Sequence, residues 1–158
     1  MGKFPFTNGA YQQYAFGGFV TKFNTNGQLI YSTGFHGYKI YPNNVIAGSD
    51  GYEYPNDIAV DQEGNAYITG RSNAHLLQMP GAGNGYDVTF NGGWSDAFVA
   101  KFNPSGSELL FATFLGGSND TGIHEAGIGI KLDHEGNVYV VGVTNSLGFP
   151  ITADAIDN

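Results

Sequence analysis

Ile58-Ala59-Val60-Asp61-Gln62-Glu63-Gly64-Asn65-Ala66-Tyr67-Ile68-Thr69-Gly70 returns 72 positions later as Ile130-Lys131-Leu132-Asp133-His134-Glu135-Gly136-Asn137-Val138-Tyr139-Val140-Val141-Gly142. In each copy Asp-x-Glu-Gly-Asn separates two runs rich in β-branched and aromatic residues. Glycine supplies a positive φ and Asp bonds its own following backbone, so the pentapeptide reads as a turn. The flanking runs alternate (Ile58 with Val60, Tyr67 with Thr69) and read as strands with two distinct faces.

A second block repeats with it. Phe19-Val20-Thr21-Lys22-Phe23-Asn24 recurs 79 positions on as Phe98-Val99-Ala100-Lys101-Phe102-Asn103. Each copy enters a turn, Thr25-Asn26-Gly27 or Pro104-Ser105-Gly106. Each turn leads to a second apolar run, Leu29–Thr33 or Leu109–Thr113. The unequal offsets place length changes in connecting loops such as Tyr38–Glu53, where insertions cost least. Phe4-Pro5-Phe6-Thr7 is echoed by Phe149-Pro150-Ile151-Thr152, with Met79-Pro80 as a middle copy. The chain therefore divides into a unit over 1–78, a unit over 79–148, and the start of a third, or a strand-donating tail, over 149–158. Each unit holds two hairpins, hence four strands. No long window keeps a 3.6-residue period without a glycine, so no helix is predicted. The expected fold is all-β: two tandem four-stranded antiparallel sheets of propeller-blade type. Two blades are too few for a ring, which takes typically four to eight, so the arrangement is open.

Composition agrees. Glycine numbers 25 of 158 residues, Tyr and Phe together 22, and charged residues are 13%, against roughly 25% in an ordinary soluble domain. The net charge of −8 and the scattered Lys3, Lys22, Lys39, Arg71, Lys101 and Lys131 argue against nucleic acid, which needs clustered cations. No apolar run approaches the roughly 20 residues of a membrane span. Cysteine is absent, which removes disulfide and thiolate chemistry. The Met1–Phe6 stretch has no apolar core of a signal peptide.

The sequence resembles the bacterial seven-bladed beta-propeller repeat family. The resemblance rests on Gly93–Gly106, Ala112–Gly117, Asp133–Gly142, Thr144-Asn145-Ser146 and Phe149-Pro150, and more loosely on the first unit. There Ala15-Phe16-Gly17-Gly18 and Gly34-Phe35-His36-Gly37 replace the corresponding pieces of the second unit. It implies propeller architecture, usually in large exported or surface-attached proteins, and no particular reaction. An extracellular or cell-surface location is the corresponding expectation.

No nucleophile, phosphate-binding or metal-ligand motif is present. His36, His75, His124 and His134 have no metal spacing, and Glu53, Asp57, Glu125 and Asp154 form no recognisable pair. No catalytic, cofactor-binding or metal residue is therefore assigned. Asp50, Asp96 and Asp120 stand in Gly-rich acidic loops that calcium would use if it bound, but Asx turns are the preferred reading. Asn119-Asp120-Thr121 is a formal glycosylation sequon. Trp94, Tyr52, Tyr54 and Tyr86 are the residues a carbohydrate would stack on, with strand packing and loop anchoring preferred. Open sheet edges invite pairing with other chains. The expected function is thus a non-catalytic structural or interaction module, assembling head to tail into a ring or filament. Its partners would be other copies of itself or further repeats of a longer chain. Phe4, Pro5, Phe6, Phe149, Pro150 and Ile151 are the candidate assembly residues. The alternative is part of a larger propeller that binds a ligand such as carbohydrate or acts on polysaccharide.

Overall fold

A computed structural model describes residues 4–14, 17–37, 39–40, 46–47, 52–73, 84–117 and 124–156, with backbone alone at 39–40 and 46–47. Ten strands and no α-helix occur among them: β1 Gly18–Phe23, β2 Leu29–Phe35, β3 Lys39–Ile40, β4 Ile46–Ala47, β5 Glu53–Val60, β6 Ala66–Ser72, β7 Asp96–Phe102, β8 Leu109–Leu115, β9 Ala126–Leu132 and β10 Val138–Val143.

Every hairpin expected from the repeat forms. β1 pairs with β2, β5 with β6, β7 with β8 and β9 with β10, all antiparallel. At the two Asp-x-Glu-Gly-Asn turns, Gly64 and Gly136 take φ of 88° and 86°, which a side chain would resist. Asp61 Oδ1 accepts the backbone N–H of Glu63 and Asn65, and Asp133 Oδ1 accepts those of Glu135 and Asn137, at 2.8–3.1 Å.

The grouping of hairpins into sheets differs from the expectation of two four-stranded sheets. The described residues contain one four-stranded sheet, in the order β5-β6-β7-β8, and β1-β2, β3-β4 and β9-β10 stand as two-stranded sheets. The four-stranded sheet takes two strands from each side of residue 78. The sequence period is right, but its phase against the sheets is shifted by one hairpin. A periodic sequence carries no mark of where a sheet begins; edge pairing decides it. The outer edge of β2 is already occupied, since Thr7 donates to Ser32 O at 3.0 Å and Gly34 donates to Gln12 O at 2.9 Å. β5 therefore has no ladder to join on β2. β6 instead pairs with β7 without a break from Ala66↔Phe102 to Ser72↔Asp96.

Strand alternation then builds three layers. Ile68, Phe98, Ala100, Phe102 and Phe114 face the β1–β2 hairpin, where Val20, Tyr31 and Phe35 complete the larger core. Tyr67 and Val99 face the other way onto Ile130 of β9, with Val138 and Val140 of β10 beside them. Phe98 is fully buried, its ring 5.2 Å from that of Phe35. Phe98→Ala is expected to cost about 3–5 kcal/mol, read as a lowered midpoint in urea unfolding followed by tyrosine and tryptophan fluorescence.

Candidate functional site

Four features carry chemistry: the bare edges of β1 and β10, the sockets of the two turn aspartates, a set of buried acids, and an aromatic cleft.

β1 is the positional counterpart of β7, and β10 of β6. Within the four-stranded sheet β7 and β6 are joined; β1 and β10 each lack a neighbour on the corresponding side among the described residues. The two edges of the four-stranded sheet are blunted. Asp87 caps β8, accepting from Phe114 N at 2.7 Å and donating its own N–H to Thr113 Oγ1 at 2.9 Å. β5 carries Pro55, which has no N–H to offer. The sequence-predicted assembly residues lie at the two open ends. Phe4 packs on Phe6 and Phe19, with ring centroids 4.8 Å apart in both pairs. Phe149 lines a cleft of about 240 Å³ beside β10, with Ala97, Leu115, Val140 and Val143. Pro150 is half-buried, Ile151 is exposed, and residues 149–156 form no strand.

Each turn aspartate also builds a socket. Asp61 Oδ2 accepts from Asn65 Nδ2 at 2.7 Å and from Tyr67 Oη at 3.3 Å, and pairs with Lys101 Nζ at 3.6 Å. The Lys101 ammonium lies 4.7 Å over the Tyr67 ring. Asp133 Oδ2 repeats the arrangement with Asn137 Nδ2 at 2.7 Å and Tyr139 Oη at 3.2 Å. It has no lysine. The side-chain bond from Asn137, helped by the backbone of Asn137 and Glu135, holds the Asp133 carboxyl below the usual range, so it stands ionised.

Glu53 and Glu125 occupy equivalent positions at the starts of β5 and β9, and both are buried. Glu53 accepts from Ser72 Oγ at 3.2 Å, and Glu125 from Thr144 Oγ1 at 2.9 Å and Gly117 N at 3.0 Å. Each ties the start of one hairpin to the strand that ends it. Asp96, the calcium candidate of the sequence, opens β7 fully buried against Glu125 and accepts from Asn91 N at 2.7 Å. Burial, reinforced by the charge of Glu125, pushes its carboxyl up to about 7. Burial likewise lifts Glu53 to about 7 against the bonds from Gly37 N–H and Ser72. Among the described residues no three His, Asp or Glu side chains converge as a metal site. Asp50 and Asp120 lie outside the described residues. Two signals for these acids were present in the sequence: the 72-residue spacing of Glu53 and Glu125, and the hydroxyl residue, Ser72 or Thr144, at the same spacing.

Of the aromatic candidates, Tyr54 and Trp94 come together with Arg71, Asn73, Ser95 and His124 around a cleft of about 170 Å³. The Arg71 guanidinium lies 4.8 Å over the Tyr54 ring. Trp94 and His124 meet edge to face at 5.0 Å. Ser95 Oγ donates to Glu125 O at 3.2 Å. Tyr52 neighbours Tyr54 at 6.1 Å, whereas Tyr86 lines no part of the cleft.

Residues 46–76 match the family model described as a Beta-propeller repeat. The chain carries a beta-propeller repeat. The matched stretch covers β4, β5 and β6, and so includes the first Asp-x-Glu-Gly-Asn hairpin. No curated protein matches the chain. In propeller terms β5–β8 is a whole blade, β1–β2 the second half of a blade and β9–β10 the first half of another.

The buried acids set a pH dependence. Glu53 and Asp96 bind protons more tightly in the folded chain, at about 7, than at their ordinary values of 4.5 and 3.8. Stability is therefore fullest in mild acid, falls as pH rises through that interval, and levels off above it. The melting temperature is expected to be higher at pH 5 than at pH 8. Asp96→Asn, which keeps the acceptor for Asn91 and offers Glu125 a donor, is expected to flatten the slope in differential scanning calorimetry.

Proposed function

We propose that this chain is a non-catalytic interaction module that associates with copies of itself, head to tail, through its two open half-blades. One observation carries the reading: among the described residues β1–β2 and β9–β10 stand as two-stranded sheets whose free strands, β1 and β10, are the counterparts of the joined pair β7 and β6. A half-blade leaves a row of backbone donors and acceptors and an apolar face in water, and strand addition satisfies both. Because the contact joins unlike surfaces, it closes into a ring or runs on as a filament. An extracellular or cell-surface setting fits the low charge and the resemblance to surface-attached propeller proteins. Sedimentation velocity from micromolar to hundreds of micromolar is expected to show reversible association; a single monomer boundary throughout would contradict the reading.

The cleft between Tyr54, Arg71, Trp94 and His124 favours a second reading, a propeller module that binds carbohydrate. Exposed tyrosine and tryptophan offer stacking faces, with Arg71 and Asn73 as hydrogen-bond donors. A glycan array is expected to return a ligand whose binding Trp94→Ala abolishes. An array on which the wild-type chain binds nothing removes this reading.

A further inference from the structure

We infer that the seam between copies is an antiparallel pairing of β10 with β1 of a second copy, giving a complete blade β9–β10–β1–β2 in which Lys22 of the second copy seats on Asp133 and Tyr139. This rests on the self-association reading and names its surfaces and register.

The chain contains its own template. β6 and β7 pair Tyr67↔Lys101, Ile68↔Ala100, Thr69↔Val99 and Gly70↔Phe98. Their counterparts across the seam are Tyr139↔Lys22, Val140↔Thr21, Val141↔Val20 and Gly142↔Phe19. Both terminal strands also carry the irregularities of the strands they mirror. β10 has a register shift between Val141 and Gly142 opposite Gly129 and Gly127, as β6 does at Thr69 and Gly70 opposite Asp57 and Pro55. β1 has one between Lys22 and Phe23, as β7 does between Lys101 and Phe102. Two edges bent at the same places fit the same ladder.

The faces agree as well. Val138 and Val140 pack on the chain's own four-stranded sheet, while Tyr139 and Val141 alternate to the other face and are exposed. Val20 packs on its own sheet, while Phe19 and Phe23 point away. Once paired, the outward face of each strand meets the whole blade of the other copy. Exposure shows what is missing. Tyr67 is 4% exposed and Tyr139 60%; Ile130 is 2% exposed and Ile58 49%; Phe102 is 0% exposed and Phe23 60%. Tyr67 covers Ile130 within the chain, and Tyr139 would cover Ile58 of the second copy in the same way. A groove of about 350 Å³ lies open beside β1, lined by Phe19, Val20, Phe23, Ile58 and Ile68, where that strand would lie.

Charge picks the occupant. Asp133, Asn137 and Tyr139 reproduce the socket that Lys101 fills at Asp61, and Lys22, exposed on the edge of β1, is the counterpart of Lys101. The seam lacks two bonds present between β5 and β9, Asn56 Nδ2 to Gly127 O and Ile130 N to Asp57 Oδ2, at 2.8 and 2.9 Å. Ile128 and Gly129 stand in place of Asn56 and Asp57, so the seam opens before the chain unfolds. A seam of this kind does not need the Phe149-Pro150 element. Residues 4–14 already line the outer edge of β2, so the tail is dispensable.

The test combines sedimentation with cysteine pairing, since the chain has no cysteine of its own. Val20→Cys with Val141→Cys places two thiols opposite each other across the seam, within disulfide reach. Mild oxidation is expected to give a ladder of covalent oligomers, and Val20→Cys with Tyr139→Cys, out of register, is expected to give none. Lys22→Glu is expected to weaken association about tenfold or more with the melting temperature unchanged, and removal of residues 149–158 to leave association intact. If the wild type associates but the in-register pair does not cross-link and Lys22→Glu changes nothing, this register is wrong and self-association stands. If the wild type stays monomeric at every concentration, the self-association reading fails and this one with it.

Discussion

The ladder between β6 and β7 is the constraint on which the rest of the molecule depends. It joins two hairpins whose connecting segment is long, and it is the pairing that makes a four-stranded sheet. Both cores follow from it. Its pleat sends Phe98, Ala100 and Phe102 to one side and Val99 to the other, and each side then recruits a terminal hairpin. Because that ladder uses the second hairpin of one sequence unit and the first of the next, β1–β2 and β9–β10 stand as two-stranded sheets among the described residues. A chain phased the other way would present two finished sheets with little to offer a neighbour.

Local features were the legible part of the sequence. Asp-x-Glu-Gly-Asn carries its own turn chemistry in a few residues, so the hairpins at Asp61 and Asp133 could be read directly. The phase of the sheets could not, because it is set by which edges are free. The capping of β2 by Thr7 and Gln12 depends on chain path rather than local pattern. The Phe-Pro echo marks both ends of the repeat, whereas the free strands β1 and β10 beside it are visible only in the fold. In the sequence Glu53 and Glu125 are carboxylates without a recognisable pair; burial and their Ser72 and Thr144 partners give them a structural role that spacing alone does not convey.

Charge is used sparingly and in repeated ways. A turn aspartate stays ionised, held by amide donors and phenol, and in the whole blade it adds a lysine. A buried glutamate at the start of β5 or β9 ties neighbouring strands at the cost of desolvation. Acids at the surface and acids in the interior thus respond to pH in opposite senses. The turn aspartates favour folding once ionised, and Glu53 and Asp96 favour it while protonated.

The most direct check on this architecture is the strand pairing itself, measured in solution. Backbone nuclear Overhauser contacts between Ile68 and Ala100 and between Gly70 and Phe98, with slow amide exchange along β6 and β7, are the expected result. Contacts joining β2 to β5, with none between β6 and β7, would place the sheet boundary at the sequence boundary and contradict the account.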